Sequence, residues 1–256
     1  MERPGLTRRQ LIRRGVVGAA GALFGPGLEL LRPALGAAAS ADLTIATTAD
    51  QEPASLDGQV DPYQSAWLYN SFVTDPLVVL SPSGKYLPNI ATQWSVSSQG
   101  RIWTLSLRPG VTFQDGTPLD ADAVKFNIDR VMNPDTHSAL MANYLGVKNF
   151  LKTEAIDKNT IEFIYSSPVP ALLYGLSICP IWSPAAIRQY GTSFQQHLVG
   201  EGAFKLTEWV RGDHVKFVKN PGYRGGPPVQ DHTGAAYLDS ITVKFVGDAG
   251  VLGQVL

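Results

Sequence analysis

A mixed α/β or α+β chain is predicted by three features of the sequence. Stretches that alternate with period two, such as TIEFIY (160–165) and ITVKFV (241–246), lie among segments whose apolar residues recur at helical spacing. These elements follow one another without the regular strand–helix–strand rhythm of a parallel sheet. The 256 residues are 44% apolar and 17% charged, enough to bury one large core or two modest ones.

The first 41 residues stand apart. TRRQLIRR (7–14) precedes the apolar VVGAAGALFGPGLELL, and ALGAAASAD then offers small-residue A-x-A sites at Ala37/Ala39 and Ala39/Ala41. A basic start, a moderately apolar centre and a small-residue cleavage site predict a secretory signal over 1–41. The Thr-Arg-Arg-x-Leu-Ile-Arg order is that of a twin-arginine signal. Gly25, Pro26, Gly27 and Glu29 break the apolar run, so a membrane-spanning helix is not expected there. Residues 1–41 hold six basic and two acidic groups, which leaves the rest of the chain 15 basic against 20 acidic and a net charge of −5. That balance offers no basic face for nucleic acid.

Beyond the signal, DLTIATT (42–48) predicts a first strand and EPASLDGQVDPYQS a turn-rich loop. Trp67, Leu68, Phe72 and Val73 fit a helix that ends before Pro76. SPSG (81–84) is a turn. WSVSSQGRIWTLSL (94–107) reads as two strands about a turn, with Trp103, Leu105 and Leu107 on one face. In DADAVKFNIDRVM, Asp120 is placed to cap a helix whose core stripe is Val124, Ile128 and Val131 and which Pro134 stops. Two short helices, each opened by proline, are expected in SSPVPALLYGL and WSPAAIRQYG. AFKLTEWV and HVKFVKN flank RGD as a hairpin, and ITVKFV closes the series as a strand.

Most local chemistry is excluded. His137, His197, His214 and His232 are scattered, with no metal-binding spacing, and no G-x-S-x-G elbow exists. GEGAFK (200–205) lacks the phosphate-loop spacing and leads into a strand rather than a helix. Cys179, the only cysteine, lies in the apolar LSICPIW as an inert thiol. Asp115, Asp120 and Asp122 could in principle serve a secreted hydrolase, but a QDG turn and a helix cap account for them better. The aromatic residues are numerous for a simple core, and amphipathic rings suit a ligand cleft.

Two long motifs carry a resemblance. KYLPNIATQWSVSSQGRIWTLSLRPGVTFQDGTPLDADAVKFNIDRVM (85–132) places Pro88, Ala91, Trp94, Leu107, Arg108, Gly110, Val111, Phe113, Asp115, Gly116, Pro118, Ala121 and Val124 as in extracellular solute-binding proteins of the oligopeptide/dipeptide/nickel class. VGEGAFKLTEW…NPGY resembles the second signature of that family through Val199, Gly200, Gly202, Phe204, Leu206, Trp209, Asn220, Pro221 and Tyr223. Glu201 replaces a threonine or serine, Ala123 an aspartate and Gly58 a proline.

This resemblance implies a periplasmic-binding-protein-like fold, type II with an extra subdomain. It divides the chain into a first part of lobe I (42–80), a side subdomain (81–198) and a return to lobe I (199–256), with the second lobe missing. It implies no enzyme, no cofactor and no metal. The implied protein is a monomeric receptor that binds a peptide or other small polar solute outside the membrane and delivers it to ABC-transporter permease subunits. A first lobe alone is expected to bind weakly or not at all, because such receptors close two lobes on their ligand, and a truncated lobe that binds no solute is the alternative. Site residues implied by the resemblance are Asp61, Tyr63, Gln64, Trp67 and Tyr144, with Asp61 suited to a ligand ammonium and the rings to its apolar parts.

Overall fold

The computed structural model describes residues 40–61, 64–97, 99–229 and 232–247, with the side chains of residues 64 and 65 left aside. The signal expected at 1–41 therefore lies, but for its last two residues, outside the described residues. In chain order the elements are β1 (Asp42–Thr48), α1 (Gln64–Val73), β2 (Val78–Leu80), β3 (Tyr86–Pro88), β4 (Ala91–Val96), β5 (Ile102–Leu107), α2 (Ala121–Met132) and α3 (Ala139–Tyr144). They continue as β6 (Phe150–Asp157), β7 (Thr160–Tyr165), α4 (Leu172–Ile178), α5 (Pro184–Tyr190), β8 (Phe204–Val210), β9 (His214–Lys219) and β10 (Ser240–Val246).

Two four-stranded sheets organise these elements. One has the order β1-β10-β9-β8, with β1 parallel to β10 from Asp42↔Ser240 to Thr48↔Val246 and the remaining pairs antiparallel. The other is wholly antiparallel, order β4-β5-β7-β6, and β2 and β3 form a small hairpin beside it. Each sheet buries its own core. Leu105, Ile161 and Phe163 of the antiparallel sheet pack with Val124, Ile128 and Val131, the stripe expected on α2. Val215, Phe217 and Val243 of the mixed sheet pack with Tyr69 and Val73 of α1 and with Trp182. Phe72 meets Phe217 edge-on at 5.2 Å between ring centroids.

Local signals account for the ends of several elements. The Asp120 carboxylate accepts the Ala123 N–H at 3.0 Å, so the expected cap on α2 is present. Ser183 caps α5 with Pro184 in its first turn, as expected. The other proline-opened helix differs: α4 begins at Leu172, capped by Ala171, with Pro170 still one residue upstream. The strand expected from Trp94 starts earlier, at Ala91. The short strands β2 and β3, α3 and β6 are not expected from the sequence. In β6 the pairing with β7 shifts between Phe150 and Lys152 and again between Ala155 and Asp157, which breaks the period-two burial that marks a strand.

The glycines of VGEGAFK are required by close approach. A Cβ on Gly200 would stand 2.2 Å from the Val73 carbonyl oxygen, and one on Gly202 2.5 Å from the Val73 carbonyl carbon. Gly202 N–H donates to that oxygen at 2.7 Å. The chain thus slides past the C-terminal end of α1 with backbone on backbone and enters β8, not a helix.

Candidate functional site: an aromatic cleft beside α1

The segment 52–61 is a turn-rich loop, and the polar side chains that a surface loop would spend on water are here spent on fixing it. Arg130 from α2 donates to Asp57 Oδ2 at 2.7 Å and to Gln59 Oε1 at 2.5 Å. Gln59 Nε2 donates to Asn127 Oδ1 and to the Pro180 carbonyl, both at 2.8 Å. Trp182 Nε1 completes the circuit on Asp57 Oδ1 at 3.0 Å. At the other end of the loop, Glu52 accepts from Trp209 Nε1 and from the Gly212 N–H, each at 3.0 Å, so the RGD hairpin tip is fastened to it.

This loop places Asp61 at the entry of α1. Asp61 is 4% exposed, and its Oδ2 accepts the Ser55 N–H at 2.9 Å. It shares a narrow crevice with Trp67, Gly58, Gln59, Leu140 and Met141. Trp67 stands edge-on to Tyr144 with centroids 6.2 Å apart, and Tyr144 meets Tyr174 at 5.3 Å. Asp61, Trp67 and Tyr144 are therefore brought together. Tyr63 and the side chain of Gln64 lie outside the described residues.

Trp67 also opens onto a larger cleft of about 610 Å³ that runs along α1. Asn70, Ser71 and Asp75 line it from α1 and its C-terminal end; Tyr223, His232 and Tyr237 line it from the loop before β10. Tyr237 is 78% exposed and its ring lies 4.3 Å from that of His232. In the sequence Tyr223 is reached only as a motif residue, Tyr237 only as one of many aromatics, and His232 only as a scattered histidine: the 220–239 loop has no periodicity, and its contact with α1 spans some 150 residues of chain. Cys179, on the cleft's far wall, is buried, and burial pushes its thiol up to about 12, in keeping with an inert role.

Below the cleft lies an acid cluster that explains where Glu201 goes. Glu201 is 6% exposed; its Oε1 accepts the Asp75 N–H at 2.7 Å, and its Oε2 accepts the Thr74 hydroxyl at 3.1 Å. Asp75 Oδ2 accepts the Tyr223 hydroxyl at 2.6 Å. Burial first, and then the neighbouring Asp75 charge, push the Glu201 carboxyl well above the ordinary range. Burial also raises Asp75, against the opposing effects of the Tyr223 hydrogen bond and of Arg108.

Two of the three carboxylates weighed for hydrolysis are engaged, and the exposed Asp122 stands in the first turn of α2. Asp115 Oδ1 accepts the Thr117 N–H at 2.9 Å and its Oδ2 the Ser183 hydroxyl at 2.5 Å. Partial burial raises the Asp115 carboxyl, but the bonds from Ser183 and Thr117 outweigh it and the net shift is downward. Asp120 caps α2. Among the described residues no group of three or more His, Cys, Asp or Glu side chains could hold a metal ion, and no helix is long and apolar enough to cross a membrane.

The mixed α/β fold is shared with solved binding proteins. The chain superposes on MoaA of A. tumefaciens R10, solved with mannopinic acid, at a TM-score of 0.70 and 26% identity, covering 83% of this chain and 42% of that one. NikA of Brucella suis, solved with Fe(III)-EDTA, superposes at 0.67 and 28% identity, covering 82% and 40%. In sequence, the glutathione-binding protein GsiB of Escherichia coli O1:K1 / APEC is 38% identical over 161 residues, which are 62% of this chain and 30% of GsiB. The family described as bacterial extracellular solute-binding proteins, family 5, middle part, matches residues 85–255. The chain belongs to that family. It spans under half the length of each of these relatives.

Proposed function

We propose that the chain is part of the solute-binding component of an ABC importer, which captures a peptide or a similar small polar solute outside the cytoplasmic membrane and passes it to permease subunits. The observation that carries this reading is the cleft along α1 in a chain of this family. Its volume suits a small solute, its aromatic rings suit apolar parts, and Asn70, Ser71 and Asp75 supply polar anchors. The relatives named above are small-solute binders by their titles, which supports the same class of ligand here.

Asp61, Trp67 and Tyr144 form the inner end of the site in this reading, and Tyr63 and Gln64 are proposed as further ligand contacts. Residues 1–41 act as a twin-arginine-type export signal. The division into 42–80, 81–198 and 199–256 has partial support, since one sheet is built from 42–48 and 204–246 and the other from 91–165, whereas Trp182, Ala186 and Phe194 of the middle segment pack on the mixed sheet. The mature receptor works as a monomer.

The test is calorimetry and thermal shift on residues 42–256 with glutathione, short peptides, amino acids, sugars and nickel. Weak but saturable binding of one class is expected, with Trp67→Ala weakening it by about tenfold or more, as for a central aromatic anchor. Undiminished affinity in Trp67→Ala would move the site away from α1. Micromolar affinity in residues 42–256 alone would overturn the expectation that a first lobe binds weakly or not at all.

A further inference from the structure

A second cavity, of about 440 Å³, lies between the turn after β5 and the 220–225 turn. Asp75 and Tyr223 line both it and the α1 cleft, so their 2.6 Å hydrogen bond forms part of the dividing wall. Three basic side chains border this second cavity: Arg108, Lys205 and Arg224.

None of the three is paired with a carboxylate among the described residues, whose ion pairs all involve other cations. Arg108 Nη2 donates to the Asn89 carbonyl at 2.9 Å. Arg224 Nη1 donates to the carbonyls of Pro221 at 2.9 Å and Tyr223 at 3.0 Å. A carbonyl steers a guanidinium without neutralising it, and further N–H donors of each fork remain.

Two acidic groups also border the cavity, Asp75 and Glu201. Burial and the Asp75 charge hold Glu201 toward its neutral form, and the Asp75 carboxylate already accepts the Tyr223 hydroxyl and faces Arg108. Positive charge therefore prevails in a concave space of a size suited to a small molecule.

We propose that this cavity is a second binding site, for a small oxyanion of the phosphate or polycarboxylate kind, held by Arg108, Lys205 and Arg224. The two guanidinium forks match the geometry of paired oxygens, and the lysine adds a mobile point charge. This site is independent of the solute cleft, because neither Arg108 nor Lys205 lines that cleft.

The test is titration of inorganic phosphate and of citrate into the 42–256 chain at low ionic strength, followed by calorimetry and melting temperature, with sodium chloride at matched ionic strength as control. Citrate or phosphate is expected to raise the melting temperature above the chloride control, with binding that weakens as salt is added. Arg108→Gln and Lys205→Met should each weaken it by about tenfold, a plausible loss for a charge-assisted hydrogen bond. Lys205→Arg should restore most of the affinity, and Arg101→Gln, on an exposed turn elsewhere, should leave it unchanged. Trp67→Ala should also leave it unchanged, which separates this site from the solute cleft. A melting temperature no higher than in chloride, or equal binding in Arg108→Gln, Lys205→Met and the parent chain, would overturn the proposal.

Discussion

Two buried polar clusters flank α1, and they solve the problem of interior charge in opposite ways. At its N-terminal side the Asp57 carboxylate is met by Arg130, and Gln59, Asn127 and Trp182 satisfy the remaining donors and acceptors within 3.0 Å. At its C-terminal end Asp75 and Glu201 lie together, bonded to hydroxyls and a backbone N–H, and among the described residues no cation forms an ion pair with either. The first cluster keeps a charge by pairing it. The second, lacking an inserted cation, lowers its charge by favouring a protonated carboxyl. A carboxyl can thus be placed under a loop as a charged clasp or beneath a cleft as a neutral hydrogen-bonding group, and the difference is one arginine.

The largest effect is expected where the pairing is broken. Arg130→Met leaves Asp57 buried without its cation, and chemical denaturation should register a loss of about 3–5 kcal/mol. Because the Asp57–Gln59 turn also leads to Asp61, amide exchange across 52–61 should rise in the same variant. If stability falls while that exchange is unchanged, the network braces α2 and not the loop. A smaller loss is expected in the acid cluster. Tyr223→Phe removes the donor to Asp75 and leaves a buried acceptor unmet, a cost of about 1–3 kcal/mol in the same measurement. Should Tyr223→Phe cost as much as Arg130→Met, the contrast between a charged and a neutralised cluster fails.

How far this arrangement could be read from the sequence depends on the range of the contacts. Asp120 and the Val124, Ile128 and Val131 stripe lie within one helix, so cap and period announce α2 unaided. The RGD hairpin is equally local. By contrast β1 finds its parallel partner β10 nearly two hundred residues away, and nothing in DLTIATT points to that partner. β6 was hidden because its two register shifts erase the alternation. In the site, Trp67 and Tyr144 were reached through family resemblance, which carries three-dimensional information that spacing does not. Tyr223 was seen as a motif residue but not as a wall of the cleft, and His232 and Tyr237 were not singled out for the site. Glu201 could not be understood at all from its neighbours in the chain, since Thr74 and Asp75 lie more than 120 residues before it.

Glu201 gives the subtlest way to probe the comparison, because the effect of its replacement grows with pH. Its carboxyl is raised in the folded protein above the usual 4.5. Below pH 4.5 it is protonated folded and unfolded alike, and its contribution is fully present. As pH rises the unfolded chain releases the proton first, so stability is lost progressively until the folded carboxyl also ionises. Glu201→Gln has no proton to lose and keeps an oxygen for the Asp75 N–H. At pH 4 the variant should therefore match the parent to within about 1 kcal/mol, the range of one neutral hydrogen bond exchanged for another. At pH 8 it should be the more stable of the two, and its denaturation midpoint should vary less between those values. Arg130→Met, tested over the same range, should be destabilised throughout, because the Asp57 charge has lost its partner and not merely its proton. A Glu201→Gln protein that tracks the parent's pH dependence would place the titrating carboxyl on Asp75 instead, and Asp75→Asn would then flatten the curve.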